Sequence, residues 1–216
     1  MTDTGKKPRY DEGCLAAHAL NLIGDRWALL VVRELMFAPK RFQMIRAGVP
    51  GVTASVLTQR LAQLRDAGVI LHDEKLGIYA LTDIGRGLLP VLESLCRWAM
   101  MVPGHDPTRF ISPSALMISM GVNLIADRAA GVEALAGFDF DSEAFEMRVS
   151  DGRLRTVAVT EPQTPFVLKG SGNALAFAIY GSAPLTAMLA KGFTSAQGDL
   201  SLAQDFIDLF RLENTA

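Results

Sequence analysis

The fold is decided by the stretch TASVLTQRLAQLRDAG, residues 53–68. Its first residue, Thr53, is a typical N-cap residue of a helix. Three leucines then recur at the spacing of one helix face, namely Leu57, Leu61 and Leu64. Gly68 stands where a helix commonly ends, because glycine easily adopts the left-handed conformation of the C′ position. The stretch therefore predicts one amphipathic helix with a polar outer face.

The segments on both sides predict a small helical domain with a β-hairpin. Before residue 53, apolar spacing predicts a first helix over 15–23, a second from the N-cap Asp25 to Pro39, and a short third helix over 42–47. After residue 68, two strands are predicted over 69–72 and 78–81, and Thr82 begins a fifth helix. This order is that of a winged helix-turn-helix, in which one helix crosses the DNA backbone and the next lies in the major groove.

Charge is divided unevenly along the chain. Residues 1–104 hold thirteen Lys/Arg and ten Asp/Glu, net +3, whereas residues 105–216 hold eight and thirteen, net −5. Within the first part, residues 39–65 carry five basic side chains and no acidic one. Such a stretch indicates either a surface for a polyanion or an ordinary solvated helix face, and charge alone leaves both open.

The outward positions of the fourth helix carry groups suited to reading double-stranded DNA. We expect these positions to be Thr53, Ser55, Thr58, Gln59, Arg60 and Gln63. Glutamine and arginine can form paired hydrogen bonds with a base edge, and none of the six would repel phosphate. Lys40 and Arg41 are expected at the start of the third helix, where phosphates can be held. These residues predict DNA binding.

Four blocks of this region occur together in one known family. They are IGDRW at 23–27, APKRFQMI at 38–45, LTQRLAQLRDAG at 57–68 and YALTDIG at 79–85. In this order and spacing they resemble the HxlR-type (DUF24) transcriptional regulators over roughly residues 10–100. The resemblance implies a homodimer joined by its first and last helices, and so a dimer role for Leu88, Leu92, Leu95 and Trp98. A two-fold dimer would read a pseudo-palindromic operator.

Cys14 lies where the family often has a cysteine followed by proline, but here Leu15 follows it. The resemblance implies a possible redox-sensing thiol at Cys14. A reactive thiol needs a lowered pKa, and the nearby acids Asp11 and Glu12 work against that. A small structural thiol is the competing interpretation.

The second half of the chain predicts a separate α+β domain. A helix is expected over 114–130, strands over 145–149 and 154–159 around the turn pair Asp151-Gly152, and a third strand over 166–168. Short helices over 173–180 and 185–190, a last strand from Gly192, and a terminal helix capped by Asp199 follow. We therefore predict two domains, residues 1–104 and 105–216, the second with a mostly antiparallel sheet.

The blocks DGRLRTVAV at 151–159, ALAFAIYG at 174–181, PLTAMLAKG at 184–192 and GDLSLAQDFIDLF at 198–210 resemble a sterol carrier protein type 2 (SCP2-like) domain. That resemblance implies an apolar tunnel for fatty acyl or sterol-like molecules. The residues expected near it are Phe166, Leu175, Phe177, Ala178, Met188, Phe193 and Phe206. The simpler interpretation is that these side chains only fill the core.

Several function classes find no support in the sequence. Two cysteines do not make a disulfide framework, and no stretch reads as a signal peptide or a membrane span. No metal-ligand spacing, phosphate loop or nucleophile elbow occurs, so neither a metal, a cofactor nor an enzyme activity is expected. The sequence predicts a cytoplasmic DNA-binding regulator controlled by a small hydrophobic ligand. The alternative is a carrier of hydrophobic ligands whose first half mediates protein association.

Overall fold

The computed structural model describes residues 10–212. The chain divides into two compact units between Leu88 and Leu89, whereas the sequence placed the division after Gly104. The helix Leu89–Met100 counts with the second unit, where it packs against the helix Pro113–Val122. Which functions the two units carry remains a prediction.

The first unit is a helical bundle with a small sheet. Its elements are α1 (Leu15–Ile23), α2 (Ala28–Glu34), β1 (Lys40–Arg41), α3 (Phe42–Gly48), α4 (Ala54–Asp66), β2 (Ile70–Asp73), β3 (Ile78–Leu81) and α5 (Asp83–Arg86). The antiparallel sheet has the order β1-β3-β2. The mixed helix and sheet class and the order of helices and hairpin are as predicted.

The structure confirms the predicted limits of α4. The Thr53 hydroxyl accepts a hydrogen bond from the Val56 amide, and Gly68 has φ +70°. The three leucines of its inner face, Leu57, Leu61 and Leu64, are buried. One face of α4 is therefore fixed in the core, which leaves the opposite face for solvent or a partner.

Two predictions for the first half were wrong in detail. The second helix begins at Ala28, because the Asp25 carboxylate accepts from the Trp27 amide and caps a turn before it. Lys40 and Arg41 directly precede α3 as predicted, with Arg41 at its N-cap, and they also pair with Tyr79 and Ile78 as a third strand, which the sequence did not predict.

The predicted fifth helix is also interrupted, ending as α5 at Arg86 and starting again at Leu89. Pro90 explains this break, because a proline inside a continuous helix clashes with the carbonyl four residues earlier.

The second unit contains a five-stranded sheet and six helices within residues 89–212. Its elements are α6 (Leu89–Met100), α7 (Pro113–Val122), α8 (Ala126–Ala129), β4 (Ala134–Asp139), β5 (Ala144–Ser150), β6 (Arg153–Val159), β7 (Phe166–Lys169), α9 (Gly172–Tyr180), α10 (Leu185–Ala190), β8 (Ser195–Gly198) and α11 (Leu200–Ile207). The sheet order is β6-β5-β4-β7-β8, and β4 and β7 are its parallel pair. The other pairs are antiparallel, so the sheet is mostly antiparallel as predicted.

One strand was missed and one helix is broken. The central strand β4 escaped the pattern because Ala134–Asp139 consists largely of small residues without β-branched side chains. The helix expected over 114–130 stops at Val122, because the following chain turns away to bond with the C-terminal segment: the Ile125 amide donates to the Leu209 carbonyl, 2.8 Å. The last strand begins at Ser195 rather than at Gly192.

Aromatic rings form the core between the sheet and α11. Phe206 of α11 lies with its ring centroid 5.9 Å from Phe166, 6.2 Å from Phe138 and 5.2 Å from Phe210. Asp199 caps α11 as predicted, accepting from the Ser201 and Leu202 amides. Leu202, in the first turn of this helix, is exposed.

Within residues 10–212, no single helix combines the length and apolar character needed to cross a membrane. The helices α1 and α2 have the required length and apolar character only when they are taken together, and the angle between them is a bend of 72°.

Candidate nucleic-acid interface

The first half of α4 presents a row of hydrogen-bonding side chains to solvent. Thr53, Ser55, Thr58 and Gln59 are all exposed, as the sequence predicted. The Thr53 and Ser55 hydroxyls lie 3.2 Å apart, and the Thr58 hydroxyl donates to the Ala54 carbonyl. Within the described residues, the Gln59 amide makes no side-chain hydrogen bond, so both its donor and its acceptor are available to a ligand. This is the arrangement that reading base edges requires.

Arg60 is not part of that surface, and the prediction that it faces outward was wrong. It is buried, and its guanidinium Nη2 lies 2.6 Å from Oδ2 of Asp25. Its Nη1 donates to the side chain of Gln63, which is thereby held in place and only half-exposed. Burying an arginine side chain costs much free energy unless an opposite charge pairs with it. Its role is therefore to tie α4 to the turn before α2.

Lys40 is likewise removed from the candidate contacts. Its side chain is 1% exposed, and Nζ lies 3.3 Å from Oε2 of the equally buried Glu34. Glu34 also pairs with Arg33, 2.8 Å, and Arg33 donates to the carbonyl of Gly48, 2.7 Å. Because a Cβ on Gly48 would overlap the Glu34 carboxylate, α3 can approach this cluster only with a glycine. The cluster joins α2, β1 and α3.

The exposed cations of the basic stretch are therefore fewer than the sequence suggested. Arg41, Arg46 and Arg65 are exposed, and of these Arg65 lies 3.4 Å from Asp66. Neither Arg41 nor Arg46 has a side-chain partner in the part of the chain that the structure describes. Arg41 keeps its predicted position at the edge of the interface, and Arg46, in α3, was not singled out by the sequence.

Cys14 is exposed and immediately precedes α1, without forming a side-chain cap. Cys96 is half-buried in α6, which belongs to the second unit. A redox role for Cys14 stays a prediction.

The seven residues expected around an apolar tunnel do not share one environment. Five of them fill the core and are buried: Phe166, Leu175, Ala178, Met188 and Phe206. Phe177 and Phe193 are 53% and 59% exposed and meet edge to face at the surface, with ring centroids 6.4 Å apart, so they do not belong to the buried core, and their place near a tunnel stays a prediction. Apolar spacing alone does not distinguish a core side chain from one beside a cavity.

A cleft of about 510 Å³ lies elsewhere in the second unit, between residues 104–111 and the helices α7 and α9. Phe110, Ile111 and Ala176 contribute apolar surface, and Ser119 and Tyr180 reach it from the two helices. The Tyr180 and Ser119 hydroxyls lie 2.9 Å apart. Burial raises the pKa of the Tyr180 hydroxyl, so the phenol keeps its proton and can donate. No local sequence pattern indicated this cleft, because its walls come from distant parts of the chain.

The segment that forms one wall of this cleft is held by a single amide side chain. Asn173 of α9 donates to the carbonyls of Thr108 and Arg109, at 3.2 and 2.7 Å, and accepts from the Ile111 amide, at 3.2 Å.

In the described part of the chain, no group of three or more His, Cys, Asp or Glu side chains is placed to hold a metal ion.

In the first unit, α4 has one face buried in the core and a polar face exposed to solvent. The short helix α3 precedes it, and the hairpin of β2 and β3 follows it. These features define the class of winged helix-turn-helix domains. Residues 22–106 match the family described as HxlR-like helix-turn-helix. An uncharacterized HTH-type transcriptional regulator of Bacillus subtilis, YvaP, is 32% identical over 121 residues, which cover 54% of this chain and 99% of YvaP. The chain belongs to the HxlR-like helix-turn-helix family.

Other similar proteins are also regulators. An uncharacterized HTH-type transcriptional regulator of Methanothermobacter thermautotrophicus is 32% identical over 98 residues, 43% of this chain and 75% of that protein. Among solved structures, quinone-bound YodB from B. subtilis is 32% identical with a TM-score of 0.36, covering 39% of this chain and 93% of that one. A possible HxlR family transcriptional factor from Thermoplasma volcanium is 27% identical with a TM-score of 0.34, covering 38% and 81%.

Proposed function

We propose that this protein is a dimeric, DNA-binding transcriptional regulator whose second unit binds a small hydrophobic ligand. The observation that carries the proposal is the exposed row Thr53, Ser55, Thr58 and Gln59 on α4, in a chain of a regulator family. Arg41 and Arg46 would hold phosphates beside it. The relatives are transcriptional regulators, which favours a regulator over an enzyme.

Exposed apolar side chains support the dimer. On α1, Leu15 is 85% exposed, and on α6, Leu95 and Trp98 are 44% and 59% exposed. Exposed large apolar residues grouped on one helix mark interaction sites. Of the four residues that the family resemblance assigned to the dimer, Leu92 is buried and Leu88 is only half-exposed, so we assign the contact to Leu95 and Trp98.

We place the ligand in the cleft beside Phe110 and Tyr180 rather than among the buried rings of the core. Apolar walls with a few polar groups are the usual form of a small-molecule site. The hydroxyls of Ser119 and Tyr180, together with the charged side chains of Asp106 and Arg109 in the same lining, fit a ligand that joins an apolar body to a polar or charged group. The mostly antiparallel sheet with helices packed against it supports an SCP2-like assignment of this unit.

The direct test is binding of the full chain to the DNA upstream of its own gene, across a salt series and with random-sequence competitor. A regulator gives a complex that survives competitor and weakens as salt rises, because bound cations displace counterions from phosphate. Equal affinity for both DNAs contradicts a site in that region. A genome-wide selection for bound fragments then decides between a distant operator and a carrier that binds no DNA.

We expect Gln59→Ala to lower the preference for operator over random DNA by roughly 5- to 150-fold, the loss of one paired base contact worth about 1–3 kcal/mol. Fluorescence anisotropy with both duplexes measures the ratio. Gln197→Ala is the matched control, because Gln197 is an exposed glutamine of β8 in the second unit. If Gln59→Ala leaves the preference unchanged, α4 is not the reading helix.

We expect Trp98→Glu to shift the protein from dimer to monomer in sedimentation analysis, because a charge would be buried unpaired in the contact. Phe193→Glu is the control, since Phe193 is an equally exposed aromatic residue away from α6. A dimer that persists in Trp98→Glu refutes a contact through this face.

We expect Ala176→Phe to reduce binding of a fluorescent fatty acyl probe at least tenfold by filling the cleft. Ala190→Phe, at an exposed position, is the control for added apolar surface. Unchanged probe affinity in Ala176→Phe excludes this cleft as the binding site.

A further inference from the structure

Three arginines lie together on one face of the hairpin formed by β5 and β6. They are Arg148, Arg153 and Arg155, called here the hairpin arginines. Arg148 is directly opposite Arg155, and Arg153 is opposite Ser150. All three are exposed, whereas the alternate residues of β5, such as Met147 and Val149, are buried. The three guanidinium groups therefore stand on the solvent face of the sheet.

Their spacing is fixed by the turn. Asp151 and Gly152 have φ values of +50° and +68°, the left-handed pair of a tight two-residue turn, which sets the register of the strands. Directly opposite residues on one face have Cβ atoms about 5 Å apart. Arg153 and Arg155, two positions apart on one strand, are separated by about 6.7 Å. The arrangement is a compact triangle of positive charge.

No acidic side chain neutralises this triangle. Within residues 10–212, the hairpin arginines form no ion pair and no side-chain hydrogen bond. The nearest acid on the same face, Glu146, uses its carboxylate to accept from the Gln163 amide, 2.6 Å. By contrast, Lys169 of the same sheet is paired with Asp139, 2.8 Å, and this contact lowers the pKa of the Asp139 carboxyl.

Folding does not account for the cluster. Like charges directly opposite each other across strands destabilise a sheet. Moreover, residues 105–216 carry thirteen acidic and only eight basic residues, yet three of the eight occur on this one hairpin. An uncompensated positive cluster in an acidic unit points to an anionic partner.

We propose that the hairpin arginines bind phosphate groups of the DNA backbone, so that the second unit contributes a sequence-independent contact to DNA binding by this chain. This inference rests on the proposed function. The guanidinium group is suited to it, because its planar set of five donors matches phosphate oxygens in pairs. β6 is also an edge strand of the sheet, so its face is open along one side.

The charge of the first unit favours DNA over an acidic protein as the partner. Lys40 and Arg60 are used inside the fold, by Glu34 and Asp25. The chain as a whole has a net charge of −2, so a duplex meets net repulsion except where cations face it. Additional arginines on the second unit would supply the attraction that these internal pairs remove.

The test is the salt dependence of DNA binding by the full chain carrying Arg148→Gln and Arg155→Gln. Anisotropy with the upstream duplex and with a random duplex of equal length gives the slope of log affinity against log salt. We expect the slope to fall by up to about 1.8 per protomer on both duplexes, since each lost phosphate contact removes about 0.9. We also expect the melting temperature to stay the same or to rise, because opposed charges have been removed.

The control is Lys191→Gln with Arg211→Gln, which removes the same charge from two other exposed positions of the second unit. An unchanged slope in the hairpin variant, or an equal fall in the control, overturns the proposal. Loss of binding to poly-L-glutamate with an unchanged DNA slope overturns it in favour of an acidic protein partner. If the unaltered chain does not distinguish the two duplexes and the genome-wide selection returns no bound fragment, the proposed function fails, and the slope on random DNA still tests the hairpin arginines.

Discussion

Replacing Glu34 by leucine is expected to lower the free energy of unfolding of the first unit by about 3–5 kcal/mol, the usual cost of removing one member of a buried ion pair. The charge in question is Lys40, whose side chain is 1% exposed and whose Nζ lies 3.3 Å from the Glu34 carboxylate. Arg33 suffers less, because it is partly exposed and keeps its bond to the Gly48 carbonyl.

The measurement is denaturant unfolding followed by the fluorescence of Trp27, in a Trp98→Phe background. The sequence has two tryptophans, so this background reports the first unit alone. The matched control is the double variant Glu34→Leu with Lys40→Met, which removes both charges and replaces them by apolar side chains. We expect it to recover much of the lost stability, because exchange of a whole buried pair for apolar residues is often neutral. If the double variant is as unstable as the single one, the loss of stability comes from altered packing and not from the loss of the ion pair between Glu34 and Lys40.

Replacing Gly198 by alanine is expected to destabilise the second unit by about 2–5 kcal/mol. Two effects add here. Gly198 has φ +88°, a left-handed conformation that costs an L-residue about 1–2 kcal/mol. A Cβ atom would also overlap the Pro165 carbonyl oxygen and lie 2.8 Å from Cα of Phe166, and such overpacking costs a further 1–3 kcal/mol, roughly.

Gly192→Ala separates the two effects. Gly192 has φ +72°, but nothing lies within 4 Å of the position its Cβ would take. Unfolding followed by Trp98 fluorescence in a Trp27→Phe background should therefore show a loss of only about 1–2 kcal/mol for this variant. Equal losses at both glycines would mean that the chain between β8 and α11 moves to relieve the contact with Pro165.

Local patterns predicted those parts of the fold whose causes are local. α4, α10 and the cap of α11 depend on neighbouring residues such as Thr53, Pro184 and Asp199, and they lie where the sequence placed them. The turn Asp151-Gly152 also lies where the sequence predicted it, because both residues can adopt a positive φ.

The predictions for the candidate site that failed depended on partners distant in sequence. Arg60 has the spacing of an outward residue of α4, but its environment is decided by Asp25, which belongs to the turn before α2. Lys40 similarly looks like a surface cation until β1 places it beside Glu34. A single sequence shows the charge of these residues but not the opposite charge that folding brings to them. The cleft beside Tyr180 was missed for the same reason.

The three bonds of Asn173 set a thermodynamic condition on any ligand of the cleft. The segment that this amide fastens is also the connection between α6 and α7, so cleft wall and connector are the same stretch of chain. A ligand that binds more tightly to one conformation of this segment must stabilise that conformation by the same factor. Any contact that holds the segment in another conformation must lower the affinity for the ligand by an equal factor. Binding of a ligand in the cleft and the conformation of the connector would thus be thermodynamically coupled.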